Sequence, residues 1–203
     1  MGVYTDTLNY RDGIYIELGA LDGHHWSNTK RLQDELNWKG ILIEPSPKGY
    51  DACLINRPND KIFNCACVSP EYKNLTIQGD FTGHPMSSIL GTRLSDIGVK
   101  HELITVPAKT LQSIIEESGY NNIDFLSLDV EGYEFDVLKG IDFTKTRIKY
   151  MLIEIYEKDK DAIFTFLKNL GYDCVENVTD FNLQNNPNWD GTHNDYFFVF
   201  NLK

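Results

Sequence analysis

Two stretches hold the side chains best able to do chemistry. Tyr15–Thr29 reads YIELGALDGHHWSNT, an apolar run that passes into a loop with two glycines, an acid and two histidines. Leu128–Glu134 reads LDVEGYE and sets Asp129, Glu131 and Glu134 at the end of a second apolar run. Glu44 closes a third such run, GILIE, and Glu154 a fourth, MLIE. A single acid at a strand end is usually a cap or turn residue. Were these runs neighbouring parallel strands, Glu17, Glu44, Asp129 and Glu154 would share one rim. Like charges repel there unless something electropositive or rich in hydroxyls lies among them.

The order of elements supports that arrangement. Ile14–Leu18, Gly40–Ile43, Lys61–Val68, Ile123–Leu128 and Ile148–Ile155 read as buried strands. Helical spacing falls between several of them, over 28–38, 48–56, 110–118 (with Thr110 as N-cap) and about 133–139. The helix expected at 159–170 stops at Gly171. Asn74–Gln78 and His101–Val106 are expected as further strands, and Gly83–Ser88 as a loop. Tyr172–Val178 and Asp195–Phe200 have only an Asn/Pro/Gly-rich loop between them, which predicts an antiparallel pair. Strand–helix alternation predicts a mostly parallel α/β sheet covered on both faces, in one domain over 1–203 with 1–12 as an N-terminal extension. Ligands of such sheets bind beyond the carboxyl ends of the strands, at the switch point.

Bulk composition narrows the ligand. The 203 residues carry a net charge of −11, which disfavours nucleic acid as a partner and leaves a neutral small molecule easier to accept. Cys53, Cys65, Cys67 and Cys174 fit neither a zinc cage nor a disulfide framework, so free thiols in a reducing compartment are expected. MGVYTDTLNY has no apolar run, so neither a signal peptide nor a membrane span is read there, and a soluble cytoplasmic protein is the expectation.

The first loop lacks the dinucleotide fingerprint, because Leu21 stands where the second glycine would let a pyrophosphate approach. It also lacks the Gly-Lys-Ser/Thr ending of a P-loop. A cofactor without phosphates is therefore favoured. S-adenosylmethionine fits: a carboxylate such as Glu44 can hold its ribose diol, and acids tolerate its ammonium and sulfonium.

The segments YIELGALDG…SNT, GILIEPSPKGY, NRP, FNCACVS, IDFLSLDVEGYEFDVLKGID and NDYFFV, in that order from about Gly13 to Val199, resemble the FkbM family of S-adenosylmethionine-dependent methyltransferases. The resemblance implies a class I methyltransferase (Rossmann-like) three-layer sandwich, with seven mostly parallel strands and an antiparallel last one. It also implies O-methylation of a sugar, glycan or natural-product hydroxyl. Glu17, Gly19, Ala20 and Asp22 would then form the cofactor loop, Glu44 would hold the ribose, and Ala66 with Cys67 would border the adenine. Ser27, Asn28 and Thr29 would begin the helix beneath the cofactor.

Methylating an alcohol requires a positioned base, or a metal that acidifies the hydroxyl. Asp129, Glu131 and Glu154 are the candidates, as base or as oxygen ligands of a divalent cation, Mg or Mn. His84 or His193 is an alternative base or acceptor contact. Tyr133, Tyr156 and Trp189 are candidates to stack on a sugar face, with core packing the stronger expectation for Tyr133. Two rival readings remain at this level. One is a metal-dependent glycosyltransferase that uses Asp129-Val130-Glu131 for a nucleotide sugar; the other is a non-catalytic domain of the same fold.

Overall fold

The computed structural model describes residues 3–89, 102–187 and 191–201. Its main sheet runs β1 (Ile14–Leu18), β2 (Lys39–Ile43), β3 (Lys61–Phe63), β7 (Ile123–Leu128), β8 (Ile148–Tyr156), β9 (Tyr172–Asn177) and β10 (His193–Phe200). Their spatial order is β3-β2-β1-β7-β8-β10-β9. β3, β2, β1, β7 and β8 are parallel, and β10 is antiparallel to both of its neighbours. The chain leaves β1 in one direction through β2 and β3, then returns to the other side of β1 at β7. The switch point therefore lies between the tips of β1 and β7.

Alternate strand residues feed two cores. Ile16, Leu18, Ile41, Leu126 and Leu128 pack with Leu111 and Ile114 of α4 (Leu111–Ser118), Val137 and Leu138 of α5 (Glu134–Lys139), and Ile163 and Leu167 of α6 (Lys160–Asn169). Tyr15, Leu42 and Phe125 face the other way, onto Leu32 of α2 (Lys30–Leu36) and Cys53 of α3 (Pro47–Asn56). The three layers follow from the period-two alternation of the strands.

Residues 3–12, read from sequence as an extension, belong to this second core. Tyr4 of α1 (Val3–Thr7) contacts the Phe125 and Phe197 rings, Leu8 is buried, and the Tyr10 carbonyl accepts the Trp38 indole N–H at 2.6 Å.

One predicted strand divides. Lys61–Val68 splits into β3 in the main sheet and β4 (Ala66–Cys67) in a small sheet with β5 (Thr76–Gly79) and β6 (Ile104–Lys109), ordered β4-β6-β5. At the break, Asn64 Nδ2 donates to the Glu44 and Pro45 carbonyls, both at 2.9 Å. This link ties the strand change to the tip of β2. Among the described residues no helix is long and apolar enough to cross a membrane, and Cys53, Cys65, Cys67 and Cys174 are free thiols.

Candidate active site

The loop after β1 is held from beneath by a buried arginine. Arg57, 0% exposed, donates through Nε to Asp60 (2.9 Å), through Nη1 to the Gly23 carbonyl (3.0 Å) and Ser27 Oγ (3.2 Å), and through Nη2 to Tyr15 OH (2.5 Å) and Thr29 Oγ1 (2.9 Å). Glu17 faces this network. Its carboxylate accepts from Ser27 Oγ (2.8 Å), Thr29 Oγ1 (2.5 Å) and Asn28 N–H (2.9 Å), and lies 3.7 Å from Arg57 Nη1. Burial raises the Glu17 carboxyl despite these lowering partners. Glu17 therefore does not stand on the open rim as its sequence position predicted. It braces the loop from below, neutralised by Arg57.

Asp22 and Asn28, although open to solvent, bond to neighbouring parts of the chain rather than reach the cavity. The Asp22 carboxylate accepts the His24 and His25 N–H groups at 2.9 and 2.8 Å, and Asn28 Nδ2 donates to Ser127 Oγ of β7 at 3.0 Å. Of the residues expected to touch a cofactor, Glu17, Asp22 and Asn28 do not line the cavity at the switch point, whereas Gly19, Ala20, Glu44, Ala66, Cys67 and Asp129 do.

That cavity, of about 470 Å³, spans the tips of β1, β2, β7 and β8. Glu44 closes its β2 side. Glu44 Oε2 accepts the Leu21 N–H and Oε1 the Ser46 N–H, each at 2.8 Å, and burial pushes the carboxyl up to about 7 against those hydrogen bonds. Each carboxylate oxygen has a second lone-pair site, so both still accept a hydroxyl. Leu21, which breaks the glycine pattern, adopts φ +51° and supplies the N–H that fixes Glu44. Cys65, Ala66, Cys67 and Phe81 form an apolar wall beside it. On the same cavity Ser87 Oγ is buried and without a hydrogen-bond partner among the described residues. A diol anchor, an apolar slot and an unsatisfied hydroxyl fit a nucleoside.

The opposite side is acidic. Asp129, Glu131 and Glu154 bring one carboxylate oxygen each within 4.8 Å of one another. Asp129 is open to solvent through the cavity yet lies deep in the protein. Burial raises both Asp129 and Glu154, and each is raised further by the neighbouring acids. Glu131 sits at φ +56° in a turn that Glu134 holds, its Oε1 accepting the Val130 and Gly132 N–H groups at 3.0 Å. Tyr156 OH donates to Glu131 Oε2 at 2.6 Å, and His193 Nε2 lies 3.2 Å from Glu154 Oε1. Glu134 and Tyr133 are thus parts of the scaffold, and Tyr133 packs against the small-sheet core.

His84 lines the cavity but is not among the side chains that meet in the acid cluster. Its Nδ1 accepts the Met86 N–H at 3.1 Å, so the neutral ring carries its proton on Nε2 and is a donor rather than a base. Trp189 lies outside the described residues. Sequence reasoning missed three participants: Arg57, Trp26, which is 81% exposed on the cavity wall, and Asp195, which faces Glu154 across the β8–β10 ladder. The NRP and NDYFFV segments contained two of them with no local sign of their roles.

The strand order with its single reversed strand, and the cavity at the switch point, define a class I methyltransferase fold. Three solved structures are similar to the chain. TrmK of M. capricolum, in complex with its natural cofactor product S-adenosyl-homocysteine, is 10% identical with a TM-score of 0.51, over 99% of this chain and 69% of that one. A TehB-like SAM-dependent methyltransferase from Corynebacterium glutamicum is 8% identical, TM-score 0.49, over 97% of this chain and 85% of that one. The 23S rRNA methyltransferase ErmE is 12% identical, TM-score 0.48, over 100% and 70%. The likeness to TrmK, at 10% identity, is one of fold alone. No curated protein matches the chain. The Methyltransferase FkbM domain matches residues 17–174. The chain belongs to the FkbM methyltransferase family.

Proposed function

We propose that this methyltransferase uses S-adenosylmethionine to methylate a hydroxyl of a sugar or glycan. One observation carries the reading: a single cavity has a buried diol-binding carboxylate, Glu44, at one side and the Asp129–Glu131–Glu154 cluster at the other. The bound cofactor supplies a sulfonium methyl carbon open to in-line displacement. Glu44 holds the ribose hydroxyls, Gly19 and Ala20 let the nucleoside lie close to the β1 tip, and the Ala66–Cys67 wall with Ser87 receives the adenine.

At the acidic side the chain must orient a hydroxyl and take its proton. Without a cation, carboxyls this close resist being charged together, so Asp129 and Glu154 share a proton and the ionised partner is the base. Glu131, fixed by Tyr156, hydrogen-bonds the acceptor. His84, as a donor, is assigned to acceptor contact. The same carboxylates are hard oxygen donors of the kind Mg²⁺ or Mn²⁺ takes, and the reading accommodates a divalent cation.

A neutral, hydroxyl-rich acceptor suits a chain of net charge −11 better than a polyanion does. Trp26 offers an exposed aromatic face to a sugar ring on the cavity wall. Three buried free thiols suit a reducing, cytoplasmic setting. The test is incubation with methyl-labelled S-adenosylmethionine against oligosaccharides, nucleotide sugars, hydroxylated natural products and transfer RNA. Label in a saccharide is expected. Label confined to RNA, or to nitrogen, contradicts the proposal.

A further inference from the structure

We infer that Asp129, Glu131 and Glu154 form a binding site for one divalent cation, Mg²⁺ or Mn²⁺, at the acceptor side of the cavity. The inference rests on the methyltransferase reading for its use, but not for its geometry.

The protein itself shows what a satisfied acid near a strand end looks like. Glu17 has Arg57, two hydroxyls and a backbone N–H around it. Glu154 is as buried, at 7% exposed, yet its Oε2 has no hydrogen-bond partner among the described residues. No lysine or arginine among those residues pairs with Asp129 or Glu154. A buried carboxylate oxygen left without a donor is destabilising, and here it belongs to a group of three acids that bring one oxygen each within 4.8 Å of one another. A cation in their midst removes both the repulsion and the missing partner.

The surroundings are built as an outer shell. Tyr156 OH holds Glu131 Oε2 at 2.6 Å, and Thr192 Oγ1 meets His193 Nδ1 at 2.7 Å, which leaves Nε2 directed at Glu154. Such contacts fix the orientation of ligands. Carboxylates suit hard cations such as Mg²⁺ and Mn²⁺. With Glu44 occupied by the nucleoside across the cavity, a cation here would hold an acceptor hydroxyl, and an acceptor offering two adjacent hydroxyls would bind it best.

The test is a titration of the EDTA-stripped full chain with Mn²⁺, followed by electron paramagnetic resonance, with S-adenosylhomocysteine binding measured separately by calorimetry. One Mn²⁺ per chain is expected, and Mg²⁺ should compete for the same site. Glu154→Gln should weaken Mn²⁺ at least about tenfold while keeping S-adenosylhomocysteine affinity within about threefold, which shows that the variant is folded. Absence of stoichiometric Mn²⁺, or undiminished binding by Glu154→Gln, overturns the site while leaving the methyltransferase reading intact. Mn²⁺ binding without any S-adenosylhomocysteine binding does the reverse.

Discussion

The carbonyl oxygen of Asp129 occupies the place a side chain at Gly19 would need. A Cβ on Gly19 would lie 1.9 Å from that oxygen, and the residue already sits at φ +74°. The β1 and β7 tips thus touch backbone to backbone, which sets the nucleoside loop against the acid cluster. Gly19→Ala must move one tip or adopt a strained left-handed conformation. Its S-adenosylhomocysteine affinity by calorimetry is expected to fall at least tenfold, about 1.4 kcal/mol. Unchanged affinity would mean the contact does not shape the site.

Arg57 has the same role beneath the loop, through charge rather than close contact. Arg57→Met leaves Glu17 and Asp60 buried without their cation, a loss of roughly 3–5 kcal/mol. Urea unfolding should show it as a lowered midpoint. Arg57→Lys should recover little, because an ammonium cannot reproduce a planar fork that reaches five acceptors. Wild-type stability in Arg57→Met would remove the brace from the account.

Glu134 gives a pH dependence of definite sign. Burial is the main cause that raises its carboxyl from the ordinary 4.5 to about 7, so the folded state binds its proton more tightly than the unfolded chain does. Its stabilising contribution is full below about pH 4.5 and is lost as pH rises through about 7, with a slope of up to about 1.4 kcal/mol per unit. Glu44, raised by burial to about 7, adds in the same window. Denaturant midpoints should fall between pH 5 and 7.5. Glu134→Gln, which keeps an acceptor for the Val130 and Gly132 N–H groups, should shrink that fall. An equal fall in the variant contradicts the assignment.

Asp129→Asn keeps the size of the side chain and removes a base. With the acceptor found in the labelling screen, kcat should drop about 10²–10⁴-fold. S-adenosylhomocysteine affinity should stay within a few-fold of wild type. A wild-type rate would move proton removal elsewhere.

The sequence made the strands with long apolar runs legible. Ile14–Leu18 and Ile123–Leu128 match their observed bounds, because both faces of those strands are buried and the run ends where burial ends. Lys61–Val68 was legible only as apolar character. Its division depends on Asn64 reaching the β2 tip, a contact with no local signal. β6 continues past Pro107 to Lys109, because there the proline lies opposite Thr76 and the following residues pair with β4. Glu44, Asp129 and Glu154 were legible as residues of the cavity rim from their positions near strand ends. Glu17 was not, since strand position gives the rim but not which face of the sheet a side chain takes. Its neighbour Leu18 faces the cavity, while Glu17 faces Arg57.

The central claim is that Glu44 holds the ribose of a nucleoside sulfonium cofactor across the cavity from the acids. Calorimetry of S-adenosylhomocysteine with wild type and Glu44→Ala tests it most directly. The account predicts one site in wild type and a loss of about 10²-fold in the variant, about 2.7 kcal/mol. Equal affinity in the two proteins, or no binding to wild type beside clear binding of a nucleoside diphosphate, would contradict it.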